Sequence, residues 1–262
     1  MCILFIAVNQ HPDYPLIICA NRDEFHQRPT QQMHWWPNSK KPLQILAGKD
    51  LEAGGTWLGI KENGKFAALT NYRQIPSNPQ TQNKKLKSRG EVVVSALNDS
   101  EFSFSQLQST VKDYQGFNLI FGDIHQLSCF DSVNQRFTPL ATGYHSICNG
   151  ALDDIWPKMA SGEQQLEAYI SRCANHEEAI SHAQLLLMMQ DEMTAPDHLL
   201  PKTGLPLEWE RRLSAIFIKS AEYGTRSTCI ITIDKQGATN VTEVSYDIMG
   251  NITTQQDFLL GR

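Results

Sequence analysis

The sequence reads as an α+β protein built as a four-layer αββα sandwich, and two observations carry that reading. Residues 2–8 (CILFIAV) and 16–20 (LIICA) are apolar on both alternating faces. A half-exposed strand alternates apolar with polar residues; these do not, so both of their faces need cover. Strand-like and helix-like segments also come in separate blocks instead of alternating, which argues for antiparallel sheets with helical layers and against a βαβ architecture. Strands covered on both faces then require two sheets stacked on one another with helices outside.

The elements follow in order. Between the first two strands lies Asn9-Gln10-His11-Pro12-Asp13-Tyr14-Pro15, rich in turn formers, so residues 2–8 and 16–20 read as a buried hairpin. Residues 56–60 and 66–70 flank Glu62-Asn63-Gly64-Lys65, where Asn-Gly predicts a tight type I′ turn. Residues 74–88 are polar with two prolines and read as a loop; 91–97 and 104–111 suit helices. A second strand block covers 118–121, 126–130, 136–140 and 144–147. Residues 156–172 and 177–189 have helical periodicity, the first opening on Trp-Pro as suits an N-terminus. Residues 194–206 carry three prolines and read as irregular. A short helix near 208–213 precedes strands at 214–218, 228–233 and 241–246. No repeat and no long linker divides the chain, so residues 1–262 are expected to form one domain.

Composition excludes some partners. Hydrophobic residues make up 41% and charged residues 19%, with a formal net charge of -5, which gives no reason to expect nucleic acid or an anionic membrane. The one basic run, 84–89, falls in the polar loop. The apolar N-terminal run stops at Val8, far short of the ~20 residues that span a bilayer, and lacks the basic region and cleavage site of a secretory signal. Six cysteines (2, 19, 129, 148, 173 and 229) show no CxxC pair and no zinc-type spacing. They read as reduced, mostly buried thiols, and the expected location is the cytoplasm.

Cys2 carries the chemistry. Methionine aminopeptidases generally remove Met1 before a small second side chain, which leaves one residue bearing both a thiol and a free α-amine. That amine has a reference pKa of about 7.7–8.0 and serves as a base near neutrality. This is the logic of N-terminal-nucleophile (Ntn) hydrolases; if Met1 is retained, Cys2 is blocked. With the hairpin turn centred near His11–Asp13, Cys2 falls opposite residues 21–23. There Asn21-Arg22-Asp23-Glu24 follow directly on an apolar strand. Arg22 is expected to lower the thiol pKa, and Asp23 to hold the α-ammonium or orient its proton transfer. The alternative is a strand-end salt bridge between Arg22 and Asp23.

Asn21-Arg22-Asp23-Glu24 is also the signature of the NRDE family, called the Transport and Golgi Organisation family. Gly54-Gly-Thr-Trp-Leu-Gly59, Thr70-Asn-Tyr-Arg73, Ser88-Arg-Gly90, Asn149-Gly150, Trp156-Pro-Lys158 and Tyr223-Gly-Thr-Arg-Ser-Thr228 resemble that family's motifs in its order. The resemblance spans almost the whole chain. It implies the Ntn-hydrolase fold, with no substrate established for the family; animal members have been linked to Golgi organisation, lipid homeostasis and haem trafficking. The chain is more distantly similar to the choloylglycine and penicillin V acylases. That likeness implies Cys2, Arg22, Asp23, Asn71, Asn149 and Arg226 as site residues, the asparagines near an oxyanion. In those acylases the Arg and Asp are not adjacent, whereas Arg22 and Asp23 are neighbours, and neighbours on a strand point to opposite faces. Read from the residues alone, Asn71 is equally a strand-end cap, and Arg226 equally a surface arginine.

Two functions from different classes follow. One is a cysteine amidase or acylase cleaving a small linear amide, requiring no cofactor. The other is a carrier that holds haem or an acyl-lipid in the same cleft without turning it over; its sequence support is His34 beside Trp35-Trp36, and no CxxCH marks a haem site. The sequence leaves the oligomeric state open.

Overall fold

The computed structural model describes residues 2–37, 44–73, 86–98, 102–152, 154–175 and 178–261. Six strands come first: β1 (Cys2–Val8), β2 (Leu16–Phe25), β3 (Thr30–Trp36), β4 (Ile45–Asp50), β5 (Leu58–Lys61) and β6 (Phe66–Asn71). Helices α1 (Gly90–Asn98) and α2 (Phe104–Thr110) lead into β7 (Phe117–Gly122), β8 (Leu127–Asp131), β9 (Arg136–Pro139) and β10 (Gly143–Ile147). Helices α3 (Pro157–Ala174), α4 (His182–Met189) and α5 (Leu207–Arg212) precede β11 (Tyr223–Ile233), β12 (Thr239–Tyr246) and β13 (Ile252–Leu260). The strands form two antiparallel sheets, ordered β10-β1-β2-β11-β12-β13 and β3-β4-β5-β6-β7-β8-β9.

Side-chain alternation explains the layering. Cys2, Leu4 and Ile6 of β1 pack with Leu16, Ile18 and Ala20 of β2 against Leu46, Ile60, Phe66 and Ala68 of the other sheet. The opposite face of the same hairpin, Ile3, Phe5, Ala7, Ile17 and Cys19, packs under Met159, Leu166, Ile170 and Leu185 of α3 and α4. On the far side, Ala67, Leu69 and Leu119 pack under Val93, Ala96 and Leu97 of α1 and Leu107 of α2. The result is the αββα sandwich, with the strand that starts at Cys2 internal to its sheet. No helix among the described residues is long and apolar enough to cross a membrane.

Several expectations change. The Lys61–Lys65 turn is not type I′: Asn63 keeps a negative φ and only Gly64 is left-handed, at φ +78. Gly64 N–H donates to the Lys61 carbonyl and Lys61 N–H to the Lys65 carbonyl, the pattern of a three-residue loop with a glycine bulge. Residues 214–218 are not a strand. Their backbone is satisfied piecemeal, Phe217 N–H by the Asp191 carbonyl, Ile218 N–H by Thr225 Oγ1, and the Ile216 carbonyl by Asn21 Nδ2. Strands β3, β4 and β13 were not foreseen. The helix expected over 177–189 begins only at His182, residues 178–181 being non-helical, and residue 177 lies outside the described residues, as do 74–85 of the polar loop.

One buried acid ties the two sheets. The β3–β4 register shifts between Gln31 and His34, which takes Met33 N–H out of the ladder. Glu243 on β12 reaches across and accepts that N–H through Oε2 at 2.6 Å. Burial pushes its carboxyl up to about 7, against the Met33 bond and Arg22, which favour the anion. A carboxyl raised in the folded state gives stability that is full below its unfolded value of 4.5 and is lost as pH rises through about 7. The urea midpoint of the native chain should therefore fall between about pH 5 and 7.5 by more than that of Glu243→Gln. Parallel profiles for the two proteins would contradict this assignment.

Candidate active site

The hairpin register brings the first two site residues together. Asn9, left-handed at φ 54, closes the turn by donating its N–H to the Pro15 carbonyl at 2.8 Å. The ladder then pairs Cys2 directly with Arg22, inside the span that the turn position predicted. Both side chains face the layer between the sheets, and both are buried. All six cysteines are free and buried. Burial pushes the Cys2 thiol above its ordinary value, and the Asp23 carboxylate adds to this; Arg22 pulls it down without prevailing. The expectation of a lowered thiol pKa is therefore not met, because desolvation outweighs one guanidinium that is already shared.

Arg22 is held by the other sheet. Its Nη2 lies 3.8 Å from Asp50 Oδ2 of β4, its guanidinium sits 4.2 Å from the Trp57 ring centre, and its Nη1 is buried with no hydrogen-bond partner among the described residues. Asp50 also accepts from Arg28 Nε at 2.6 Å and from the amides of Glu52 and Ala53. No ion pair joins Arg22 to Asp23 among the described residues. Asp23 takes the opposite face, where its Oδ1 accepts from Thr225 Oγ1 at 2.7 Å, and Tyr223 Oη donates to its backbone carbonyl at 2.8 Å. Burial raises the Asp23 carboxyl, with Lys158 of α3, the Thr225 bond and Arg22 pulling the other way.

Asn149 closes the other flank. Strand β10 pairs with β1 up to Leu4↔Ile147, and continuing that register brings Asn149 opposite Cys2. Asn149 is fully buried; its Nδ2 donates to the Asn71 carbonyl at 2.7 Å, and its Oδ1 accepts from the Cys148 thiol at 3.3 Å. Asn71 thus meets the site through its backbone. By strand alternation its side chain shares the face of Ala67 and Leu69, toward α1. Arg226 is the extra residue of a bulge between Thr225 and Ser227. Its Nη1 donates to the carbonyls of Phe25, His26 and Arg28 at 2.9, 3.1 and 3.3 Å, so it braces the chain leaving β2. His34, the sequence support for haem, bonds through Nδ1 to the Gln32 carbonyl and stacks on Trp36.

Arg89 was singled out by its motif but given no role. It is half-buried, and desolvation lowers its pKa, opposed by the charges of Glu24 and a Cys2 thiolate. Its place follows from two glycines: a Cβ on Gly55 would meet Gly90 C at 2.6 Å and Cα at 2.8 Å. The sequence signal was present in Gly54-Gly55 and Ser88-Arg-Gly90, but nothing local says that the two motifs abut. A cavity of about 760 Å³ opens next to Asn149, lined by Tyr72, Arg73, Gly150, Trp156 and Lys202 among others.

The model of the family described as Transport and Golgi organisation 2 matches residues 1–247. The chain belongs to this family. It is 33% identical over 266 residues to the Transport and Golgi organization protein 2 homolog of Bos taurus, covering 94% of this chain and 93% of that one. The Drosophila melanogaster Transport and Golgi organization protein 2 is 25% identical over 258 residues, with 90% and 89% covered. Among solved structures, the chain is similar to the mutant C2A conjugated bile acid hydrolase from Clostridium perfringens at 9% identity and TM-score 0.49, covering 98% of this chain and 96% of that one.

In this Transport and Golgi organisation 2 family member the Gly55–Gly90 contact is backbone on backbone, so neither side yields cheaply. Gly55→Ala should lower folding stability by about 1–3 kcal/mol, read from the denaturation midpoint at constant slope. An unchanged midpoint would show that Arg89 is not positioned by this contact.

Proposed function

We propose that the chain is an Ntn-type cysteine hydrolase that cleaves a small linear amide. The observation that carries this is the ladder pairing of Cys2 with Arg22; the β1–β10 register, extended two residues past its last pair at Leu4↔Ile147, supports Asn149 as the neighbour on the other side. The reading requires the chain in which Cys2 is the first residue; Met1 lies outside the described residues. Because burial keeps the thiol protonated, a base must take its proton. The α-amine of the same residue is that base and needs no further positioning.

The α-amine accepts the thiol proton as Sγ bonds to the amide carbon, and the carbonyl π pair moves onto oxygen. Asn149 has two Nδ2–H donors. One is fixed by the Asn71 carbonyl, and the second is free to meet the oxyanion. Asn71 is thus a positioning residue. Arg22 and Arg89 add positive potential as negative charge develops. Collapse of the tetrahedral adduct breaks the C–N bond, and the leaving amine takes the proton from the α-ammonium. Water, deprotonated by the α-amine, then attacks the thioester, releases the acid and returns the thiol. Asp23, on the opposite face, has in this reading the role of holding the α-ammonium.

Protein shown by intact mass to lack Met1 should accumulate an acyl adduct on Cys2 when given an N-acyl anilide, and release the aniline. Cys2→Ala should abolish both, and Arg22→Lys should slow release by at least about tenfold. Turnover that survives Cys2→Ala would overturn the reading. Acyl-lipid binding without any adduct would favour the carrier instead.

A further inference from the structure

Arg73 lines the cavity beside Asn149, and one edge of its guanidinium is buried in the wall. Arg73 lies two residues past the end of β6, and its N–H donates to the Asn149 carbonyl at 2.6 Å, which ties this wall of the cavity to Asn149. Its side chain is only 6% exposed, and Nη1 donates to Glu210 Oε2 at 2.8 Å. The guanidinium lies 4.8 Å from the Trp156 ring centre, which fixes its plane. Nε and Nη2 are both buried, with no hydrogen-bond partner among the described residues. Those two nitrogens form one edge of the guanidinium, the fork that meets a carboxylate through two parallel bonds.

We propose that this edge is the seat of a ligand carboxylate, and that the cavity takes a small carboxylate-bearing amide. The amide rests on the hydrolase reading; the carboxylate seat does not. Other charges agree with a monoanion. Glu210 occupies the far side of Arg73 and is itself satisfied by the Thr203 N–H and hydroxyl. Asp154 turns onto the Ala151 amide of its own loop at 3.1 Å, and Lys202 stands exposed at the rim. The wall is built for close approach: a Cβ on Gly150 would lie 2.9 Å from Trp156 Cζ2 and 3.0 Å from Asp154 Oδ2. The cavity opens widely to solvent, and its volume of about 760 Å³ leaves room for a small ligand.

The test compares N-hexanoylglycine with its neutral counterpart N-hexanoylglycinamide and with hexyl phosphate. Binding is followed by calorimetry on full-length Cys2→Ala, so that turnover does not intervene. The carboxylate should bind at least about tenfold tighter than the other two. Arg73→Lys keeps a cation for Glu210 and removes the fork, so the gap should shrink to about twofold or less while the melting temperature stays near that of the parent. Equal affinity for acid and amide, stronger binding of the phosphate, no binding of any probe, or a gap that survives Arg73→Lys each overturns the proposal. Release of glycine by the Met1-free chain is read separately. A carboxylate preference without glycine release leaves the seat standing and removes the hydrolase.

Discussion

A guanidinium placed between two stacked sheets has to be stabilised there or the sheets cannot close over it. Arg22 is in that position, 5% exposed, with Asp50 at 3.8 Å, the Trp57 ring beneath it and Nη1 without a partner among the described residues. Taking a charge out of water costs several kcal/mol, and one distant carboxylate with one ring face offsets only part of it. The remaining positive potential acts on what shares the layer. It favours the anionic form of Glu243 and of the Cys2 thiol, and it adds to the burial that lowers the Arg226 pKa. An arrangement that leaves a buried cation under-compensated stabilises negative charge brought to it later, as when an oxyanion forms.

The hairpin was legible because its physics is local. Apolar residues on both faces of β1 and β2 state that both faces are covered, and the turn formers between them fix the register to within a residue. The Cys2–Arg22 pairing follows. Strand alternation also correctly separated Arg22 from Asp23. What the sequence hid is set by tertiary context. Strands β3 and β13 lie at sheet edges, half exposed and mixing apolar with polar residues, so their apolar signal is weak. Residues 214–218 are apolar enough for a strand but bond to side chains and loop carbonyls instead. The bulge that makes Arg226 a brace for the β2 exit, and the Gly55–Gly90 contact that places Arg89, join segments far apart in the chain.

Burial and reactivity are reconciled by a base. A thiol desolvated as Cys2 is stays protonated at neutral pH, and the lowered pKa that Arg22 alone suggested does not occur. In the proposed hydrolase, nucleophilicity depends on an acceptor for the proton, and the α-amine that loss of Met1 would free is the one attached to the same residue. Its reference pKa near 7.7–8.0 matches the working range of a general base.

The rate of iodoacetamide alkylation at Cys2 tests this most directly, measured between about pH 6 and 9 on chains with and without Met1. The Met1-free chain should react at least about tenfold faster near neutrality, its rate rising through the α-amine range of about 7.7–8.0. Equal rates in the two chains, climbing only as the thiol itself ionises above about pH 9, would contradict the account.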